Sequence, residues 1–502
     1  MCSSRLFVSL ALLLWLGPVA AQQKPNILFL FADDMRPDTI AALGNEHIVT
    51  PNLDKLAREG MSFDNAYCQG GWHGAVCIAS RAMLMTGRDL TRVKGDMGEH
   101  RTLPQHLADV GYACFATGKW HNGKKALERS FAEAEAVMLG GMSDHFDVPL
   151  VDLDSESRKF VNPRRGEKHS SEIFARSAVR WLEGRKGNEQ PFFCYVAFQA
   201  PHDPRDAPRP DLERYYRALP PLPKNFRPQV ELFADGTWDR VRDEKLAPWP
   251  RTEAVIRQQL AEYYGLITHL DRQVGRVLQA LTSSGHAANT LIVFAADHGL
   301  AVGSHGLVGK QSVYEHSMGT HLILHGERIH GGIPVGRRSQ ALVYLHDLNP
   351  TLLEVAGVPR GSSVEEGAPA YGLPVGNVAA SLWPVVRGEV QSPRETLALL
   401  YRQSQRSVRN HRYKLIRFPE IDRTLLFDLW RDPDELDDLS ASAKHRATRE
   451  LLESELRAWQ QRLGDDAPWT IDAPRSPTRD LSGLPRKPDR WQPEWIRKKY
   501  FR

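Results

Sequence analysis

The chain has little cysteine. Five occur in 502 residues, and Cys2 falls in an N-terminal apolar segment, leaving Cys68, Cys77, Cys114 and Cys194. Four thiols cannot build a disulfide framework for a chain of this length, so an apolar core must hold the fold. They show no zinc-finger spacing. Charge of one sign is also scarce. Lys and Arg number 65 against 61 Asp and Glu, a net charge of +4, which gives no electrostatic footprint for nucleic acid. No internal repeat is present. After the N-terminus no apolar run approaches the roughly 20 residues that a membrane span requires.

The N-terminus itself is apolar. LFVSLALLLWLGPVA follows a single basic residue and ends at Val19-Ala20-Ala21. Small residues behind a short apolar stretch predict a secretory signal peptide over 1–21, cleaved after Ala21. The expected mature chain is exported, to the periplasm or the medium, without a membrane span.

Beyond it, short apolar runs alternate with helical patterns. NILFLFADD (26–34), YACFATGKWH (112–121), PFFCYVAFQAPH (191–202) and TLIVFAADHG (290–299) read as buried strands with polar ends. Thr50-Pro51 predicts a helix start and Gly60 its end. Helices are also expected near 102–111, 253–284 and 446–463. This alternation predicts an α/β fold, a large mostly parallel sheet sandwiched by helices. The texture changes near residue 385. Residues 22–384 are expected to form one large domain, 385–464 a smaller C-terminal α+β domain, and 465–502 an extended tail rich in charge and proline.

In parallel sheets, ligands bind outside the carboxyl ends of the strands. Here those ends carry Asp33 and Asp34, Lys119 and His121, His202, and Asp297 and His298. Four ends with charged or imidazole groups predict one shared site. Asp33, Asp34 and Asp297 are hard oxygen donors suited to Ca²⁺ or Mg²⁺.

The stretch GAVCIASRAMLMTGR (74–88) places a cysteine one helical turn before an arginine, where a loop enters a helix. A helix N-terminus favours an anion. This C-x-A-S-R motif resembles the signature of the type I sulfatases, in the alkaline-phosphatase superfamily. GKWHNG (118–123), APHDP (200–204), FAADHG (294–299), GLVGKQSVYEH (306–316), YKLIRF and LFDLWRDPDELDDL extend the resemblance over most of the chain.

The resemblance implies an alkaline-phosphatase-like fold and a sulfuric ester hydrolase. It implies that a maturation enzyme oxidises Cys77 to Cα-formylglycine, an aldehyde whose hydrate attacks sulfur and then expels sulfate. Arg81 belongs to the same motif. Asp33, Asp34, residue 77, Asp297 and His298 match the metal ligands. Ca²⁺ is favoured, with Mn²⁺ and Mg²⁺ left open; as a nitrogen ligand His298 admits Mn²⁺ or another transition metal. Lys119 and Lys310 match the sulfate-binding lysines. His121 matches the histidine that deprotonates the sulfated intermediate. His202 matches the one that binds sulfate and is a candidate acid for the leaving alcohol, a role Lys310 also fits. Ala79 stands where the commonest pattern has proline, which leaves the maturase open.

Trp72, His73, Trp120, Arg205 and His305 lie near these motifs and are expected to line a subsite for a sulfated saccharide. His316, His321, His325 and His330 read as structural. Two other functions fit the same residues. One is a phosphonate monoester or phosphodiester hydrolase of the same superfamily, and the other a catalytically silent sulfoglycan-binding protein.

Overall fold

The strand Asn26–Ala32 runs through the middle of the protein with every side chain buried. Its alternation divides them. Ile27, Phe29 and Phe31 enter one core, and Leu28, Leu30 and Ala32 the other. A strand covered on both faces has no wet side, so its sequence is continuously apolar. The computed structural model describes residues 23–233, 238, 241–329, 331–360, 371, 373–374, 376–481, 483, 488 and 492–501. The proposed signal peptide lies outside them.

Parallel neighbours flank the central strand: Phe192–Ala197 on one side and Thr290–Ala296 on the other. Ala113–Lys119 and then Glu133–Met138 continue the parallel order. Antiparallel strands finish both sides, so the 11-stranded sheet is mixed, with a parallel centre. The helices Pro51–Glu59, Ser170–Gly184 and Glu253–Ser283 cover one face through Leu53, Phe174 and Leu270. Val76–Thr86, Leu103–Asp109 and Leu348–Val355 cover the other through Met83, Leu107 and Leu352.

Helix starts follow local chemistry. Thr252 accepts a hydrogen bond from the Val255 N–H and caps the 31-residue helix. Pro51 opens its helix as expected, but Thr50 does not cap it; its hydroxyl donates to Asp54 at 3.0 Å. The Cys68, Cys77, Cys114 and Cys194 thiols are all free and buried.

A second sheet of five strands lies toward the C-terminus, and its fifth member is the dipeptide Gly70–Gly71 from far upstream. Gly70 and Gly71 pair in parallel with Leu400 and Tyr401. Gly70 has φ of 139°, and a Cβ there would lie 1.7 Å from the Leu400 carbonyl oxygen. Only glycine permits that approach. The contact sets the C-terminal sheet beside the loop that leads to Cys77.

Described parts of the tail pack against the protein. Asp465 accepts two hydrogen bonds from Arg406, at 2.6 and 2.7 Å. A final helix, Glu494–Tyr500, docks by the Tyr500 hydroxyl donating to Glu262 at 2.6 Å. No helix among the described residues is long and apolar enough to cross a membrane.

Gly70→Ala should strain this joint by about 1–3 kcal/mol. At about 2–4 °C per kcal/mol for a large domain, differential scanning calorimetry should show a fall of several degrees in Tm. An unchanged Tm would contradict the close pairing of Gly70 with Leu400.

Candidate active site

The central strands converge at their carboxyl ends. Ala32 pairs with Ala296, so Asp33 and Asp297 leave neighbouring strands side by side. Asp34 then turns with φ of 64°, a conformation aspartate tolerates better than most residues. Its N–H donates to Asp297 Oδ1 at 3.0 Å, as does the N–H of His298. Lys119 ends the Ala113–Lys119 strand. His202 lies just beyond the strand Phe192–Ala197.

The helix Val76–Thr86 enters this group by its N-terminus, with Cys77 in its first turn. One turn later Arg81 donates to Asp33 at 2.6 Å, to Asp297 at 3.4 Å and to the Lys119 carbonyl at 2.8 Å. Lys119 Nζ lies 2.5 Å from Asp33 Oδ2. Lys310 Nζ donates to both oxygens of Asp34, at 2.8 and 3.0 Å, and to Cys77 Sγ at 3.3 Å. All of these side chains are buried.

The electrostatics follow from this packing. Burial opposes the Cys77 thiolate, but Lys119, Lys310 and hydrogen bonds from His121 and His202 outweigh it. The thiol is held well below its ordinary range. Burial and the neighbouring Cys77 also oppose ionised Asp33, yet Lys119, Arg81 and His202 hold it down to about 2. Asp34 is pushed up to about 6 by burial, against His202, Lys310 and His298.

The donors fit a divalent cation. Among the described residues, Asp33 Oδ1 and His298 Nε2 are buried with no hydrogen-bond partner. His298 Nδ1 lies 2.9 Å from the Gly299 carbonyl. That contact assigns the proton to Nδ1 and turns the Nε2 lone pair inward. Nε2 then faces Asp34 at 3.4 Å and Asp297 at 3.7 Å. Burial lowers the pKa of His298, but Asp297 and Asp34 outweigh it and push it up to about 9. One group of potential ligand atoms comprises Asp33, Asp34, Cys77 and His202, and another Cys77, Asp297 and His298, each within 4.8 Å of one another.

Above Cys77 opens a cavity of about 380 Å³. His121, His202 and Lys310 line it, joined by Gly141, Met142, Arg242, Asp243, Gln311 and Arg402. A Cβ at Gly141 would lie 2.3 Å from His121 Nε2, so glycine there makes room for the imidazole.

The five residues expected to form a saccharide subsite do not line this cavity. Trp120 is buried against Phe131, its indole N–H donating to the Gly123 carbonyl at 2.9 Å. Arg205 is buried and donates to Gln259. His305 stacks on Tyr314 at 4.1 Å and lines a different cavity, beside the C-terminal sheet. Trp72 and His73 line a separate groove next to the nucleophile loop, where the Trp72 indole donates to the Leu90 carbonyl at 3.1 Å. His316, His321 and His325 also lie off the cavity, and His330 is outside the described residues.

The family model described as Sulfatase matches residues 25–358. The chain belongs to the sulfatase family. It is a sulfuric ester hydrolase of the alkaline-phosphatase superfamily. A second model, N-sulphoglucosamine sulphohydrolase C-terminal, matches residues 303–462. The sulfatase is 27% identical to an arylsulfatase of Clostridium perfringens, covering 88% of this chain and 96% of that one. It is 25% identical to an N-acetylglucosamine-6-O-sulfatase of Bacteroides thetaiotaomicron, over 89% and 88% of the two chains.

Two solved structures share its fold. One is a protein in complex with its substrate D-glucosamine-2-N,6-O-disulfate, with a TM-score of 0.73, 23% identity and coverage of 89% and 99%. The other is a phosphonate monoester hydrolase of Agrobacterium radiobacter, with a TM-score of 0.63, 21% identity and coverage of 88% and 96%.

A cation that binds the folded carboxylate cluster stabilises the fold by mass action, by about 2.7 kcal/mol at a hundredfold excess over Kd. Ca²⁺, or Mn²⁺ or Mg²⁺, should therefore raise the Tm of the metal-stripped sulfatase. Asp297→Ala should abolish that rise. A wild-type Tm indifferent to all three ions would contradict a metal site here.

Proposed function

We propose that this sulfatase is exported and hydrolyses a sulfate ester on a saccharide, using Cys77 after its oxidation to Cα-formylglycine. The observation that carries the reading is the meeting of Cys77 with Lys310 Nζ, 3.3 Å from its sulfur, at the floor of an open cavity over three buried carboxylates. The saccharide class rests on the relatives, among them the N-acetylglucosamine-6-O-sulfatase. Export rests on the N-terminal apolar segment.

The aldehyde would supply, through its hydrate, an oxygen nucleophile that an unmodified cysteine lacks. Asp33, Asp34, Asp297 and His298 would hold the divalent cation, Ca²⁺ in our reading, which when bound supplies positive charge that favours an ionised nucleophile. The remaining roles belong to the chain. Lys119 and Lys310 face the same point from different elements and would neutralise sulfate oxygens as charge builds on them. Arg81 sits behind them and balances Asp33 and Asp297. Each lysine is already buried, so it needs no reorganisation when substrate arrives.

His202 Nδ1 is 2.8 Å from the Asp203 carbonyl, which directs Nε2 toward residue 77 and Asp34. From there it would donate a proton to the leaving alcohol oxygen as the ester bond breaks. His121 lines the same cavity and also reaches residue 77. Burial keeps its pKa below the ordinary histidine value, the hydrogen bond with Cys77 notwithstanding. It is thereby neutral near pH 7 and free to take a proton from the side chain at 77.

Protein co-expressed with a formylglycine-generating enzyme should turn over sulfated N-acetylhexosamines and aryl sulfates. Lys310→Ala should lower kcat about 10²–10³-fold, the scale for loss of one group that stabilises developing charge. Aryl phosphonate turned over faster than aryl sulfate would favour the phosphonate hydrolase. Saturable sugar binding without turnover by metal-loaded, converted protein would favour a binding protein.

A further inference from the structure

An acid has to be aimed as well as present. The backbone of His202 is held from two sides. Its N–H donates to the Gln199 carbonyl at 3.0 Å, and its carbonyl accepts from His145 Nε2 at 3.0 Å. The ring is aimed by the next residue. Nδ1 lies 2.8 Å from the Asp203 carbonyl and 3.3 Å from the carboxylate oxygen Oδ1. An imidazole held at Nδ1 presents Nε2 in one direction, so the placement of Asp203 sets the direction of the acid.

Asp203 is buried and is held in turn. The Arg242 fork reaches it at 2.6 and 2.7 Å, and the same guanidinium also serves Asp243 at 2.6 Å. The other donor comes from the end of the chain. Gln492 Nε2 donates to Asp203 Oδ2 at 2.9 Å. Gln492 is buried and lies off the cavity over Cys77. The helix Glu494–Tyr500 that follows it is tied to the same loop and to the helix Glu253–Ser283. The Trp495 indole donates to Asp206 at 3.1 Å, and Lys499 and Tyr500 donate to Glu262 at 2.9 and 2.6 Å. Trp495 also packs against the cluster of Ala207, Leu212 and Leu266. The amide is thus delivered to Asp203 from a fixed support, and a buried hydrogen bond to a carboxylate is among the stronger kinds.

We propose that Gln492 is a positioning residue for the reaction, fixing the Asp203 carboxylate so that His202 Nε2 is aimed at the leaving alcohol oxygen. The inference rests on the sulfatase reading above, with His202 as its acid, and gives the C-terminal segment a task in that reaction. As the bond from sulfur to the alcohol oxygen breaks, its electron pair goes to that oxygen and the Nε2 proton follows. A sugar alkoxide leaves poorly without that proton, whereas a nitrophenolate leaves without help. Misaiming His202 therefore harms the two esters unequally.

The test measures kcat of the converted, metal-loaded enzyme on N-acetylglucosamine 6-sulfate and on nitrophenyl sulfate. Gln492→Leu should lower kcat on the sugar about tenfold, part of the roughly 10²–10⁴ that a positioned acid is worth. On nitrophenyl sulfate it should change kcat by less than about twofold. Added to His202→Ala, it should cost nothing further on the sugar, because the two act through one group. Gln492→Asn, whose shorter amide falls short of Asp203, carries the comparison if the leucine variant does not fold.

Equal losses on both esters, no loss on either, or a loss that persists in full beside His202→Ala would overturn the assignment and leave the sulfatase reading standing. A wild type that cleaves neither ester, or the aryl ester alone, would instead remove the reading beneath it, and this inference with it.

Discussion

Three aspartates at two adjacent strand ends must be buried, and most of the site's construction answers that constraint. An unpaired carboxylate in the interior is far too costly to keep ionised. Arg81 meets part of the demand, beside Lys119 at Asp33, His298 at Asp297 and Lys310 at Asp34. Its guanidinium reaches Asp33, Asp297 and the Lys119 carbonyl, and lies 4.9 Å from the centre of the Phe31 ring. One side chain thus ties the helix Val76–Thr86 to three strands. Ser80 adds to this by donating to the Asp297 carbonyl at 2.7 Å. Residue 77 is fixed one turn away as a consequence, and Lys119 and Lys310 complete the balance around it.

A second buried charge network joins the C-terminal sheet to this region. Lys414 Nζ lies 2.9 Å from Glu315 and 2.8 Å from Glu435. Arg409 meets Glu315 at 2.9 Å, and the Tyr67 hydroxyl donates to the same carboxylate. Burial pushes Glu435 up to about 7 despite Lys414. Glu315 lies in the GLVGKQSVYEH segment that also holds Lys310. The C-terminal sheet is therefore coupled to the catalytic floor through Glu315 and to the nucleophile loop through Gly70. It is part of the site's wall and not a separate appendage.

The sheet's centre could be read from the chain because strands covered on both faces leave a plain mark, a continuous apolar run. Their ends could be read because a parallel sheet gathers them at one edge, which is why Asp33, Lys119, His202 and Asp297 meet as expected. The saccharide subsite could not be read by nearness in sequence. Trp120 sits between Lys119 and His121, but successive residues leaving a strand point to opposite sides, so its indole enters the core. Arg205 is only three residues from His202 and turns toward Gln259. Arg402 carries no local signal at all. Its place depends on two glycines more than 300 residues upstream, a pairing that no periodicity announces. The antiparallel outer strands were also hidden, since edge strands such as Phe160–Arg165 are short and largely polar.

The claim on which the rest depends is that Cys77 is the precursor of the nucleophile and not a buried thiol. Mass spectrometry of the peptide containing residue 77, after co-expression with a formylglycine-generating enzyme, tests it directly. The account predicts a mass in which an aldehyde has replaced the thiol. An intact cysteine in protein that nonetheless hydrolyses sulfate esters would contradict it.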